Sequence, residues 1–224
     1  MTTFYLIRHG ETEWNASGRW QGHADIPLND TGRDQARQLA ARLRREGVRF
    51  DAIYSSDLLR AWETAAIVGE ELGMPPNALP ALREIDVGAW SGLTVQEVAT
   101  RDAELLARLE SGEDLRRGGN GERFADLYAR VIPAAEQLVK AFPLGTLALV
   151  SHGGPLRALL LYAAREKHGA PVRHLHIGNT ALSVLECRRD IWELVTINDM
   201  SHLAGGPQAP DMMSAPPDDA ERPL

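Results

Sequence analysis

Two histidines stand where an apolar run stops and a glycine begins: "YLIRHG" at residues 5–10 and "LALVSHGG" at 147–154. An imidazole titrates near neutrality and can serve as nucleophile, proton carrier or metal ligand. Familiar competing chemistries lack their motifs. Cys187 has Glu193, not an arginine, six positions on, so the loop that aims a thiolate at phosphorus is absent. There is no G-x-x-x-x-G-K-[ST] and no H-E-x-x-H, and Ser151 does not sit in a G-x-S-x-G. A histidine at a strand end is the candidate nucleophile that remains. "HLH" at 174–176 has the spacing of a metal pair on a strand, but no cysteine or carboxylate cluster accompanies it. Two polar residues of a loop or strand is the simpler reading.

The elements that must carry these histidines alternate in type. Thr3 to Arg8 reads as a strand, followed after a polar loop by helical periodicity from Asp30 to Glu46, with Ala36, Leu39, Ala40 and Leu43 on one face. "FDAIYSS" is a second strand, and Ser56 is placed to cap a helix running from Asp57 to about Leu72, stopped by Gly73. A short strand at 78–82 leads into "REIDVGAWSGLT". Residues 94–118 are charged and helical, a cap segment rather than core, and Glu122 to Phe142 is a long helix that Pro133 should bend or split. "TLALVSHGG" is a buried strand, a helix follows from Pro155 to about Lys167, and "ALSVLEC" with "WELVTIND" forms an antiparallel hairpin. From Gly205 onward the chain is rich in Pro, Gly and Asp and is expected to be disordered.

This alternation predicts an α/β fold, a layered α/β/α arrangement with a mainly parallel central sheet, in one domain spanning 1–204 with a helical cap at about 94–120 and a tail at 205–224. Ligands of such sheets bind beyond the carboxyl ends of the strands, where His9 and His152 would meet.

Composition bounds the partners. The formal net charge of −7 argues against binding nucleic acid or an anionic membrane through bulk charge, so any anion site must be local. Nearly all the positive charge is arginine, since only Lys140 and Lys167 are lysines. One cysteine, Cys187, permits no intrachain disulfide, and with no basic leader or long apolar run the expected location is cytoplasmic.

Five motifs in order, "LIRHGETEWN", "QG" at 21–22, "YSSDLLRAWETA", "LREIDVGAWSGLT" and "VSHGG", resemble the histidine phosphatase superfamily, also called the phosphoglycerate-mutase-like family, over roughly residues 3–203. The resemblance implies a phosphoglycerate-mutase-like fold and a phosphohistidine formed on His9. Its attacking nitrogen must be unprotonated, with a backbone carbonyl at Gly10 holding the other ring N–H. Arg8 and Arg60 match the family's phosphate-binding arginines, whose planar forks suit a tetrahedral oxyanion. His152 matches the second histidine of the pocket, expected to act charged. Asn15, Gln21 and Gly22, with Gly153 beside His152, match positions around the phosphate. Glu84 matches the general acid, kept protonated beside a phosphate dianion and later able to activate water. The resemblance calls for no metal and no cofactor.

Each residue also has a plainer reading. Arg8 alone would be a surface salt-bridge partner, Arg60 part of a solvated helix face, and Asn15 and Gln21 loop-closing polar residues. Asp86 is the nearest competitor to Glu84. Trp20, Trp90 and His202 are candidates to line the pocket, with packing the simpler role for the tryptophans. Arg116 and Arg117 hint at a second anionic group on the substrate.

Members of this family that shuttle phosphoryl groups carry a longer insertion between the acid and the second histidine. Here Glu84 to His152 spans 152 − 84 = 68 positions, which resembles the phosphatase branch. The expected activity is therefore hydrolysis of small phosphate monoesters. The alternative is a cofactor-dependent phosphoglycerate mutase, and a non-catalytic binding relative is poorly supported because no site residue is missing. A homodimer through a sheet edge is a further expectation.

Overall fold

The computed structural model describes residues 1–164 and 176–203. Six strands form one sheet: β1 (Thr2–Arg8), β2 (Ala52–Ser55), β3 (Pro76–Ala78), β4 (Thr146–Ser151), β5 (Leu182–Arg188) and β6 (Ile191–Asp199), in the order β3-β2-β4-β1-β5-β6. β3, β2, β4 and β1 run parallel, whereas β5 and β6 add an antiparallel hairpin at one edge. The register pairs Arg8 with Ser151 and Ser55 with Val150. His9 and His152, each one residue further on, therefore emerge side by side with Ser56 at the carboxyl end of the sheet.

Side chains alternate along these strands, and each face buries its own helices. Ile7, Ile53, Ala148 and Val150 pack against α2 (Asp30–Arg45) and α3 (Leu59–Leu72), chiefly through Leu39, Leu43, Ala65 and Val68. Phe4, Leu6, Leu147 and Leu149 pack against α6 (Phe124–Ala141) and α7 (Gly153–Ala164), through Leu127, Val131 and Leu159. The result is the layered α/β/α arrangement. Each fully buried Leu or Ile contributes about 1.5–3 kcal/mol, and this core must offset the charge buried at the sheet's carboxyl end.

Several local expectations shift. The polar loop after β1 contains a one-turn helix, α1 (Glu13–Ala16), whose N-cap Thr12 forms a reciprocal capping box with Asn15. Ser56 does not cap α3: the helix starts at Leu59, and the Leu59 N–H is taken by the Asp25 carboxylate at 2.6 Å. The strand expected at 78–82 lies instead at 76–78 and is followed by a 3-10 turn, Pro80–Leu82. α6 runs unbroken through Pro133, because that residue lies on the exposed face, where water can satisfy the carbonyl it leaves unpaired. The segment expected to be a cap contains α4 (Val95–Arg101) and α5 (Ala103–Glu110), tied to the core by the Trp90 indole N–H on Asp102, 2.6 Å. No described helix is long and apolar enough to cross a membrane. His174 of the "HLH" stretch and the tail from 205 onward lie outside the described residues, as does the expected end of α7.

Candidate active site

β1 ends inside a dense backbone cradle. The His9 N–H bonds to Ser151 O at 2.9 Å, while its carbonyl accepts the Asn179 amide at 3.0 Å and the Thr180 N–H at 3.3 Å. Thr180 holds φ +54°, an unfavourable conformation for a β-branched residue that costs on the order of 1–3 kcal/mol and is seen where the surroundings enforce it. Gly10 must be glycine, since a Cβ there would strike the backbone of Gly32. Its N–H is fixed by Thr64 Oγ1 at 3.0 Å.

The His9 ring is oriented at both nitrogens. Nδ1 lies 2.7 Å from Gly10 O and must carry the proton, so Nε2 holds the lone pair. That lone pair accepts the Arg60 Nε–H at 3.3 Å. Arg60 reaches the site from the first turn of α3 and is anchored by Nη1 to Ala24 O and Nη2 to Gly22 O, both 2.8 Å. Gly22 supplies that carbonyl at φ +51°, with Val87 packed so close that a Cβ would not fit. Arg8 is buried and donates through Nη1 to Ile177 O. Arg60 donates to two carbonyls and to the His9 ring, and Arg8 to the Ile177 carbonyl, so two guanidinium charges converge beside His9. Burial pushes the Arg60 guanidinium down to about 10, which leaves it charged at neutral pH.

His152 is fully buried, its ring centroid 5.1 Å from that of His9. Its Nε2 lies 2.8 Å from Ser56 Oγ, which also accepts the Leu58 N–H at 3.3 Å. The bond pattern is best satisfied with the serine hydroxyl donating to Nε2. Nδ1 then carries the proton, and it has no hydrogen-bond partner among the described residues. Burial first, then the positive charge of Arg60, holds both imidazoles well below their ordinary value. With two guanidinium groups already beside it, a third positive charge on His152 is disfavoured in the protein alone; the expectation of a charged His152 concerns its contact with phosphate.

Most of the expected phosphate contacts gather in one cleft, whose wall includes Arg8, His9, Asn15, Gln21, Gly22, Arg60 and Glu84. The Asn15 amide oxygen is occupied by Thr12 N–H and Oγ1, at 3.2 and 3.0 Å, so its NH2 group is the one available to a ligand. Gln21 Oε1 lies 3.1 Å from Thr12 Oγ1, whose single proton it shares with Asn15 Oδ1, so the Gln21 amide is oriented less firmly than that of Asn15. Glu84 Oε1 accepts the N–H groups of Ile85 at 2.8 Å and Gly154 at 3.1 Å, and Oε2 takes a longer bond from the same Gly154 N–H at 3.4 Å. Asp86, its rival, lies outside the cleft wall and spends Oδ1 on the Gly88 N–H.

Other expectations fare differently. Gly153 opens α7 behind His152 and is not part of the wall; the glycine that touches an acid is Gly154, where a Cβ would overlap Glu84 Oε1. Trp20 lines the cleft, Trp90 is core, and His202 is withdrawn, bonded to Thr180 Oγ1 at 3.0 Å. Arg116 and Arg117 are occupied within their own loop, by Gly121 O at 2.9 Å and Leu115 O at 3.0 Å. Arg19, which no motif covers, and Val87, which lies within "LREIDVGAWSGLT" but has no polar group to mark it as a site residue, also line the cleft; Arg19 donates to Gly92 O at 2.7 Å. A larger hollow of about 360 Å³ at the amino end of β1, near Cys187 and Arg188, has no unsatisfied buried polar atom among its described lining residues.

The three withdrawn histidines set an acid limit on stability. His9, His152 and His202, the last lowered to about 4 chiefly by burial, bind fewer protons folded than unfolded once the pH drops below the unfolded value near 6.5. Stability is thus full above about pH 6.5 and declines as the pH falls towards the folded values. The slope approaches about 1.4 kcal/mol per pH unit for each of the two fully buried rings and is less for the partly solvated His202. Urea unfolding at pH 7, 6 and 5 in phosphate-free buffer should show this fall; an unchanged unfolding free energy would contradict it.

Comparison with known proteins agrees with this geometry. The chain is 36% identical over 206 residues to the metal-independent phosphoserine phosphatase of Arabidopsis thaliana, covering 91% of this chain and 84% of that protein. The solved structure of Bacillus stearothermophilus YhfR superimposes with a TM-score of 0.79 at 32% identity, covering 91% and 100% of the two chains. A mycobacterial glucosyl-3-phosphoglycerate phosphatase, solved in complex with VO3, gives 0.76 at 30% identity over 88% and 98%. The sequence model of the histidine phosphatase superfamily (branch 1) matches residues 4–200, and the chain belongs to that family.

Proposed function

We propose that the protein is a metal-independent phosphomonoester hydrolase that works through a phosphohistidine on His9. The observation that carries this reading is the ring of His9: Nδ1–H is held by Gly10 O, and the Nε2 lone pair lies against the guanidinium of Arg60. A nucleophile whose tautomer and direction are fixed before substrate arrives, at the mouth of a local cationic site in an acidic protein, fits phosphoryl transfer.

In this reading the ester phosphate displaces the Arg60 N–H from Nε2 and lies between the forks of Arg8 and Arg60, with the amide groups of Asn15 and Gln21 as neutral donors. Charge on the equatorial oxygens in the transition state is met by these positioned groups. The buried Nδ1–H of His152 gains in the phosphate the acceptor it otherwise lacks. Nε2 of His9 forms the P–N bond as the P–O bond breaks, and the Glu84 carboxyl gives its proton to the departing alkoxide. The resulting carboxylate then takes a proton from a water that attacks the phosphohistidine, releasing inorganic phosphate and restoring His9.

The substrates proposed are small phosphorylated metabolites, in keeping with the phosphoserine and glucosyl-3-phosphoglycerate phosphatases to which the chain is similar. Arg19, Trp20 and Val87 are where the alcohol portion would lie, with α4 and α5 as the cap beyond them. A cytoplasmic location and a homodimer belong to the same proposal; β6 is the edge strand a second copy could use, with Ile191 and Val195 exposed. Purified protein should release p-nitrophenol from p-nitrophenyl phosphate at full rate in EDTA. It should also free phosphate from 3-phosphoglycerate faster than it interconverts the 3- and 2-isomers. A requirement for added divalent metal, or isomerisation outrunning hydrolysis, would overturn the proposal.

A further inference from the structure

We propose that Arg130 is a positioning residue for the acid–base step, holding the loop that presents Glu84; this rests on the reading of Glu84 as the general acid. Residues 83–87 belong to neither helix nor strand, so their carbonyls have no ladder to satisfy them. Arg130 projects from α6 into this gap. Nη1 donates to Ala81 O and Arg83 O, both 2.7 Å, and Nη2 to Glu84 O at 2.8 Å. The remaining donors go to Glu122, with Nε on Oε1 and Nη2 on Oε2, each 3.0 Å.

A guanidinium has five N–H groups, and all five are spent in these contacts. Arg130 therefore has no donor left for a phosphate, and its charge is already met by Glu122. Burial alone would raise the Glu122 carboxyl, but Arg130 and the Asp86 N–H hold it below its ordinary value, so the pair stays ionised. Glu122 also closes the clamp from the other side: its Oε2 accepts the Asp86 N–H at 3.0 Å and its own N–H bonds to Asp86 O at 2.8 Å. Glu84 is thus gripped on both flanks by one ion pair. A lysine, with three donors on a single atom, could not reach three carbonyls and a carboxylate together.

The consequence concerns only the proton delivered to the leaving group. Positioning matters most when that group is a poor one, because a good one departs without help. The test is kcat/KM, which reports the phosphorylation half-reaction, across a series from 2,4-dinitrophenyl phosphate to simple alkyl phosphates. Glu84→Gln should lose little on the dinitrophenyl ester and about 100-fold or more on alkyl esters. Arg130→Met should show the same leaving-group dependence with a smaller loss, about 10-fold on alkyl esters. Glu84→Gln combined with Arg130→Met should be no slower than Glu84→Gln alone, since the two act as one unit.

A uniform loss across the series for Arg130→Met, or additive effects in the double variant, would mean a merely structural role and overturn the inference. A steep Glu84→Gln profile beside a flat Arg130→Met profile overturns it while leaving the acid in place; a flat Glu84→Gln profile removes both. If Arg130→Met does not accumulate folded, Arg130→Lys and Glu122→Gln carry the same test: a steeper leaving-group dependence than the parent supports the clamp, and a parental one refutes it.

Discussion

Alanine at position 9 is expected to lower kcat/KM for phosphate esters by about four orders of magnitude or more, because it removes the covalent route rather than weakening it. Arg8, Arg60 and Asn15 are held by contacts that do not involve the imidazole, through Ile177, Gly22 and Thr12. The variant should therefore still bind inorganic phosphate or vanadate. Stability should not fall in proportion, since a buried ring that resists protonation is lost along with its bond to Gly10, and below pH 6.5 the change relieves part of the acid penalty. Two measurements check the assignment. Steady-state turnover of p-nitrophenyl phosphate should be abolished, and an acid-labile phosphoenzyme trapped from the parent with labelled substrate should be missing from the variant. Substantial turnover by His9→Ala would remove His9 as the nucleophile.

Much of this site is legible in the sequence. The β/α alternation predicts a parallel sheet, and the two strands ending in histidine turn out to be direct neighbours, in a register that places His9 beside His152. The Gly10 carbonyl could be named as the acceptor for Nδ1 because a tight turn puts it one residue away, and it lies there at 2.7 Å. Contacts across long stretches of chain left no trace. Arg130 lies 46 positions from Glu84 and reads in sequence as one more charged residue on a helix. Ser56 carries the composition of an N-cap, and only the β2–β4 pairing turns its hydroxyl towards His152. The four-residue α1 is too short for a periodic signal, so Asn15 looked like a loop residue although its amide oxygen caps the helix it belongs to. The lowered pKa of His152 is a collective result of burial and of neighbouring positive charge, Arg60 foremost, and no single position announces it.

Arg60 is the position where rate and acid–base behaviour should change together. Its guanidinium is almost wholly buried and donates to the nucleophile's own lone pair and to two carbonyls. Arg60→Met should lose about three orders of magnitude in kcat/KM, the scale on which a single positioned cation acts on a phosphoryl group in flight. The second effect has a fixed sign. After burial, the charge of Arg60 is the largest influence holding both His9 and His152 down, so its removal lets both rise. A higher folded pKa protonates the nucleophile at a higher pH, and the acid limb of kcat/KM must move upward relative to the parent measured on the same ester, where substrate ionisation is common to both. Arg60→Lys separates the two contributions. It keeps a charge near the histidines but cannot hold Gly22 O and Ala24 O while donating to Nε2, so the acid limb should stay near the parent's while the rate remains low. A pH profile for Arg60→Met that falls in rate without moving its acid limb would show that burial alone keeps His9 neutral, and that Arg60 serves only the phosphate.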